Sequence, residues 1–133
     1  MLKDAQITTI LPVIDLERAK DFYNHKLGLT PIGASPDGDY LFSSGGGAKI
    51  KLIHKEEGTK AEHTALSFEV SDIGAAIAEL EGQGVVFEDY DLPEFKTENH
   101  VCVLGAEKAA WFVDTEGNIL CIHEAIPPAV NAS

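Results

Sequence analysis

Val13-Ile14-Asp15-Leu16-Glu17-Arg18-Ala19-Lys20-Asp21-Phe22-Tyr23, followed by Leu27-Gly28-Leu29, is the stretch on which the reading of this chain turns. Ahead of it, Ile7, Thr9, Leu11 and Val13 alternate with Gln6, Thr8, Ile10 and Pro12, the two-residue period of a strand. Pro12 has no N–H to give to a ladder and belongs at the strand's end. Asp15 is placed to cap a helix, because its short carboxylate can accept the free N–H groups of a first turn. Leu16, Ala19, Tyr23 and Leu27 then fall at helical spacing, Lys26 sits in the last turn, and Gly28 stands where a left-handed residue stops the helix. Three short strands are expected next, at Thr30 to Gly33, Tyr40 to Ser43 and Ala48 to His54. Pro36-Asp37-Gly38 and Gly45-Gly46-Gly47 supply the turns between them. The first half reads βαβββ.

From His63 the pattern restarts. Leu66, Phe68 and Val70 alternate with Ala65, Ser67 and Glu69; Asp72 caps a helix whose inner face is Ile73, Ala76, Ile77 and Leu80, ending at Gly82 or Gly84. Strands are expected at Val85 to Glu88, Val101 to Leu104, Ala109 to Val113 and Asn118 to His123. Val13-Ile14-Asp15-Leu16 matches Val70-Ser71-Asp72-Ile73, and Gly47-Ala48-Lys49-Ile50-Lys51 matches Gly117-Asn118-Ile119-Leu120-Cys121 at a longer offset. The surplus is absorbed by the polar loop around Asp91 to His100. Duplication of a unit that cannot bury its face alone predicts that both halves share one sheet. The expectation is one α+β domain over residues 1–133, with module one at about 6–56 and module two at about 63–124. The tail Pro127-Pro128-Ala129-Val130 is expected to be mobile.

Composition narrows the partners. The 133 residues suffice to bury a core without disulfides or a structural metal, and 44% hydrophobic with 24% charged residues describes a globular chain. With 22 acidic against 10 basic side chains the formal charge is −12, which repels phosphate backbones and anionic headgroups; neither nucleic acid nor membrane is an expected partner. The acidity either serves solubility or draws cationic ligands to a pocket mouth. Cys102 and Cys121 lie in strand-like runs without CxxC spacing and read as reduced thiols. The apolar stretch Ile10 to Ile14 runs straight into Asp15-Leu16-Glu17-Arg18, unlike a signal peptide, so a cytoplasmic address is expected.

Period two sorts each strand into a helix-facing side and a second, mixed face on which chemistry belongs. That second face carries Thr8 and Ile10; Lys49, Lys51 and Ile53; Ala65, Ser67 and Glu69, joined by His63; and Ile119, Cys121 and His123. Trp111, Tyr90, Tyr40 and Phe42 are candidates to line an apolar cup for a flat organic ligand, whereas Phe68 and Phe112 are assigned to the core. Cys121 is either a buried, inert thiol or a nucleophile activated by Lys51. Gly45-Gly46-Gly47-Ala48-Lys49 lacks the order of a phosphate loop and leads into a strand, so it reads as a hairpin turn. His54 is expected on the helix side near a strand end, and the sequence gives His25 and His100 no partner.

The Val13–Tyr23 stretch with Leu27-Gly28-Leu29 resembles the first-module signature of the vicinal oxygen chelate superfamily, which includes glyoxalase I, extradiol dioxygenases, and fosfomycin and bleomycin resistance proteins. Ala110-Trp111-Phe112-Val113-Asp114-Thr115-Glu116-Gly117-Asn118 resembles that family's late Asp-Pro-x-Gly-Asn turn, with Thr115 in place of Pro. The resemblance spans about residues 6–124 and implies two βαβββ modules forming one cup-shaped mixed sheet, helices outside, with the site on the concave face. It further implies that metal-dependent members' ligand positions fall on Thr8, Lys51, Ala65 and Cys121, none of them His or carboxylate; a Lys ammonium there opposes a divalent cation. His63 and His123 are displaced in opposite senses, by roughly 13 Å at about 3.3 Å per residue, too far apart for one metal whose ligand atoms must lie within roughly 4–5 Å of each other unless a β-bulge shifts the register.

These readings favour a metal-free small-molecule binding or sequestering protein without a cofactor, its ligand a cationic or aromatic organic molecule held by Thr8, Lys51, His63, Ser67, Glu69, Trp111, Cys121 and His123. Two alternatives stand beside it: a metal-dependent glyoxalase-like lyase or dioxygenase with relocated ligands, and a catalytically inert dimerising module. A homodimer is expected from the resemblance alone.

Overall fold

A computed structural model describes residues 1–126; the tail from Pro127 lies outside the described residues. Module one runs β1 (Thr8–Val13), α1 (Leu16–Asp21), β2 (Thr30–Ala34), β3 (Tyr40–Ser43) and β4 (Lys49–His54). Asp15 caps α1 by accepting from the Arg18 N–H, and the helix widens into a π-turn over Phe22–Lys26 before Gly28, at φ +74, stops it. Module two repeats the order with β5 (Thr64–Glu69) and α2 (Ile73–Gly82), capped by Asp72 through the Ala75 N–H. It then inserts a small hairpin, β6 (Asp91–Leu92) and β7 (Phe95–Lys96), and closes with β8 (Cys102–Leu104), β9 (Glu107–Val113) and β10 (Ile119–Ala125).

The duplication is exact in strand order, β1-β4-β3-β2 in one sheet and β5-β10-β9-β8 in the other, each with its first strand parallel to its last. The modules are βαβββ as expected. Their strands are hydrogen-bonded as two four-stranded sheets, and among the described residues no ladder joins β1 to β5. What the halves share is a core. Leu11, Val13, Phe42 and Leu52 of module one and Phe112, Leu120 and Ile122 of module two belong to one buried cluster with Phe22, Tyr23, Ile73 and Ile77 of the helical segments. Burying each such side chain contributes roughly 1.5–3 kcal/mol, so the common core outweighs any single polar contact between modules.

The expected strand at Val85 to Glu88 is reduced to a bridge between Phe87 and Phe112 and a hydrogen bond from the Glu88 N–H to the Trp111 carbonyl, 2.8 Å. β8 pairs with the first part of β9, and Phe87-Glu88 takes the rest of that edge. The hairpin emerges between the two. Among the described residues no helix is long and apolar enough to cross a membrane.

The turn after β9 ties module two to the start of α1. Asp114 Oδ1 accepts from the N–H groups of Glu116 and Asn118, and its Oδ2 accepts from Tyr23 Oη at 2.5 Å and Asn118 Nδ2 at 2.9 Å. Glu116 Oε1 accepts from the Ile14 and Asp15 N–H groups at 2.9 Å, and its Oε2 from Arg18 Nε at 2.8 Å and the Thr115 hydroxyl at 2.7 Å. Burial alone would raise the Glu116 carboxyl, yet these donors hold it down at about 2. Tyr23 is pushed well above its ordinary range by burial and by Asp114. The two stretches that carry the family resemblance are therefore the two sides of one clasp.

Candidate functional site

On module one, the β1–β4 register places Thr8 beside Lys49 and Ile10 beside Lys51, on the side away from the core. Thr8 and Ile10 are exposed. Lys51 is not a free ammonium: its Nζ lies 3.2 Å from Asp37 Oδ2 and 3.9 Å from Asp39 Oδ2, both in the β2–β3 turn. Asp37 is lowered to about 2, chiefly by the Ser35 hydroxyl and then by Lys51. Tyr40 and Phe42 do not line this face. Phe42 is fully buried, and Tyr40 packs against the core with Lys20 Nζ over its ring at 4.4 Å.

On module two, a bulge changes the expected register. Thr64 pairs with Ile119 but Leu66 with Leu120, so Ala65 is the extra residue; it packs against the main core instead of facing out with His63. Ser67 now pairs with Cys121, and Glu69 with His123. His63 precedes the Thr64–Ile119 pair, about five rows or roughly 16 Å from His123. The bulge increases the separation of the two histidines rather than closing it.

Cys121 is covered. With Cys102, Ala109 and Trp111 it forms a second, smaller cluster against which Tyr90, Phe95, Leu104 and Ile119 pack. The roof is the β6–β7 hairpin: Phe95 and Tyr90 lie 5.1 and 5.8 Å from the Trp111 ring, centre to centre. Burial pushes the Cys121 thiol up and outweighs the hydrogen bonds of Ser67 and the Ala110 backbone, which pull it down; Glu107 adds to the rise. Lys51 is not among the groups acting on that thiol, so the activated nucleophile considered from sequence is not formed. Trp111 is 9% exposed, and its Nε1 donates to Thr64 Oγ1 at 3.1 Å.

Two openings meet these residues. A cleft of about 490 Å³ is lined by Trp111, Tyr90, Phe95, Leu92, Ile119 and Thr64, with Glu62 and His63 at its rim. A crevice of about 350 Å³ separates the modules, with Thr9, Ser44 and Lys49 on one side and Ser67 and Glu69 on the other. Ser67 Oγ stands 2.5 Å from His123 Nδ1, whose Nε2 is 3.9 Å from Glu69 Oε1. The structure thus brings Ser67, Glu69, His123 and Cys121 onto one face, puts His63 with Trp111 at another opening, and leaves Thr8 and Lys51 on module one. Tyr90 lines the first opening as expected from sequence and Lys49 the second, on the mixed face; Phe95 was legible only as part of a polar loop, because the hairpin alone sets it against Trp111. It also gave His100 no partner, yet its Nδ1 is 2.8 Å from Asp89 and its Nε2 3.2 Å from Glu81. His25 lies 2.7 Å from Asp21.

A family model for the Glyoxalase/Bleomycin resistance protein/Dioxygenase superfamily matches residues 5–122. The chain belongs to this superfamily. Among solved structures, the superfamily fold recurs in TnmS3, an antibiotic binding protein from Streptomyces sp. CB03234, at 21% identity and a TM-score of 0.69, over 94% of this chain and 98% of that one. A glyoxalase family protein from Bacillus anthracis matches at 19% identity and 0.72, over 92% and 95%. Lactoylglutathione lyase from Agrobacterium tumefaciens matches at 18% and 0.66, over 93% and 96%. No curated protein matches the chain.

The superfamily includes metal-dependent members, so the donor set matters. The four positions taken from the resemblance supply the Thr8 hydroxyl, the Lys51 ammonium held by Asp37 and Asp39, the Ala65 methyl turned to the core, and a Cys121 thiol whose burial disfavours the thiolate a metal requires. These residues do not fit a divalent cation. Among the described residues, no three His, Cys, Asp or Glu side chains gather where they could hold one.

Proposed function

We propose that the chain is a metal-free small-molecule binding or sequestering protein whose ligand is a flat, cationic or aromatic organic molecule. The observation that carries this reading is the cleft at Trp111, where an indole, a phenol and a phenyl ring meet beside Glu62 in a chain of formal charge −12. Aromatic walls give area and stacking at low entropic cost, and the acidic rim favours a cation. In this reading His63 sits at the rim, Cys121 beside Trp111 across the β9–β10 ladder, and Ser67, Glu69 and His123 extend the same face with hydrogen-bonding groups. Thr8 and Lys51 contribute from module one. The antibiotic binding protein TnmS3, with the same fold, is consistent with this use of it. The protein acts in the cytoplasm as a homodimer, which sedimentation velocity tests.

The direct test is a fluorescence titration of Trp111, the single tryptophan, with proflavine and a panel of neutral aromatics in the presence of EDTA. Saturable quenching with EDTA present is expected, with weaker binding in Tyr90→Ala. A chain that responds to no compound until Ni²⁺, Zn²⁺ or Mn²⁺ is added would instead be the metal-dependent lyase or dioxygenase.

A further inference from the structure

The parallel pairing of β5 with β10 sets Ser67 opposite Cys121 and Glu69 opposite His123, and all four side chains leave the same face. Ser67 Oγ lies 2.5 Å from His123 Nδ1. When Nδ1 accepts that hydroxyl, the ring proton is on Nε2, the nitrogen that faces Glu69 Oε1 at 3.9 Å. Ser67 and His123 are joined by a hydrogen bond, and Glu69 stands beside the ring at ion-pair distance, beyond hydrogen-bond reach.

The surroundings match. Ser67 is exposed and lines the crevice of about 350 Å³ between the modules, while the thiol opposite it is buried. Lys49 lines the same crevice and, among the described residues, is in none of the ion pairs that hold Lys20, Lys51 and Lys96. A cation there can oppose negative charge developing on an oxygen bound at Ser67.

We propose that Ser67, His123 and Glu69 give this chain a hydrolytic activity toward small carboxylic esters, with Ser67 as nucleophile, His123 as general base and acid, and Glu69 as a positioning residue. Ser67 Oγ bonds to the ester carbonyl carbon while its proton passes to His123 Nδ1, and the carbonyl oxygen becomes an oxyanion facing Lys49. Collapse breaks the bond to the alkoxy oxygen, which takes the proton from His123 and leaves as the alcohol. Water, deprotonated by the same imidazole, then releases the acid and restores the Ser67 hydroxyl. Ester and water give acid and alcohol, with no other reactant. This goes beyond the binding reading and does not depend on it.

The test uses p-nitrophenyl acetate and a fluorophosphonate probe on the full chain. The wild type is expected to release p-nitrophenol with a burst, and peptide mass spectrometry to find the probe on Ser67. Ser67→Ala abolishes both, and His123→Gln lowers kcat about 100-fold. Glu69→Gln lowers kcat about 10-fold with KM unchanged, which mere support of the sheet would not produce. Circular dichroism serves as the fold control for each variant, and Trp111 quenching by proflavine is read on the wild type. Equal turnover by wild type and Ser67→Ala, or probe attached equally well to the Ser67→Ala chain, overturns the proposal. Because quenching is read separately, failure here is distinguishable from failure of ligand binding.

Discussion

Glu116 shows what one buried carboxylate can organise. Its side chain is fully inaccessible and accepts from two backbone N–H groups, a hydroxyl and a guanidinium, so Glu116→Gln leaves several donors badly matched at once. The expected cost is about 2–4 kcal/mol in urea unfolding at pH 7. The sign with pH follows from a folded value of about 2 against an ordinary 4.5. The stabilisation is complete above the unfolded value and lost as pH falls from about 4.5 toward 2. Stability measured across that window should drop more steeply for the wild type than for Glu116→Gln. Tyr23→Phe removes one donor from Asp114, which keeps Asn118, and should cost about 1–2 kcal/mol by the same assay. Cys121 is neutral and buried, so iodoacetamide should modify it only on unfolding; rapid native alkylation contradicts its placement.

At the scale of elements, the β6–β7 hairpin decides what module two presents. Without its aromatic contacts Trp111 would stand at the surface. Phe95→Ala is expected to shift Trp111 emission to the red and admit acrylamide quenching while leaving the far-ultraviolet circular dichroism unchanged; an unshifted spectrum would mean the hairpin does not cover the ring. The loop holding the hairpin was legible only as polar sequence, since Asp91-Leu92 and Phe95-Lys96 are too short to show a period. The helices and long strands were legible because their caps and alternation are local: Asp15, Asp72 and Gly28 do what their types suggest. The bulge at Ala65 was not. One inserted residue leaves the alternation of Leu66, Phe68 and Val70 intact while changing every partner across the ladder, so Ser67 meets Cys121 where Ala65 was expected.

For the whole molecule, the resemblance carried the fold further than periodicity did, and the clasp explains why. The matching stretches are conspicuous because Tyr23, Arg18, Asp114 and Glu116 bind one module to the other; they say nothing about the ligand. The candidate site was legible as a face but not as an arrangement, since Lys51 turned out to be held by Asp37 and Asp39, and Lys49 lines the crevice instead. The charge of −12 adds a prediction at this scale: affinity for a cationic aromatic should fall as salt rises from 20 to 500 mM, and affinity for a neutral one should not. The central claim is that the cleft at Trp111 accepts an organic molecule without a metal. Isothermal titration of EDTA-treated protein with proflavine, repeated after adding Zn²⁺, measures this most directly. The account predicts the same saturable binding in both titrations, weakened in Tyr90→Ala. Heat evolved only with Zn²⁺ present, or binding indifferent to Tyr90, would contradict it.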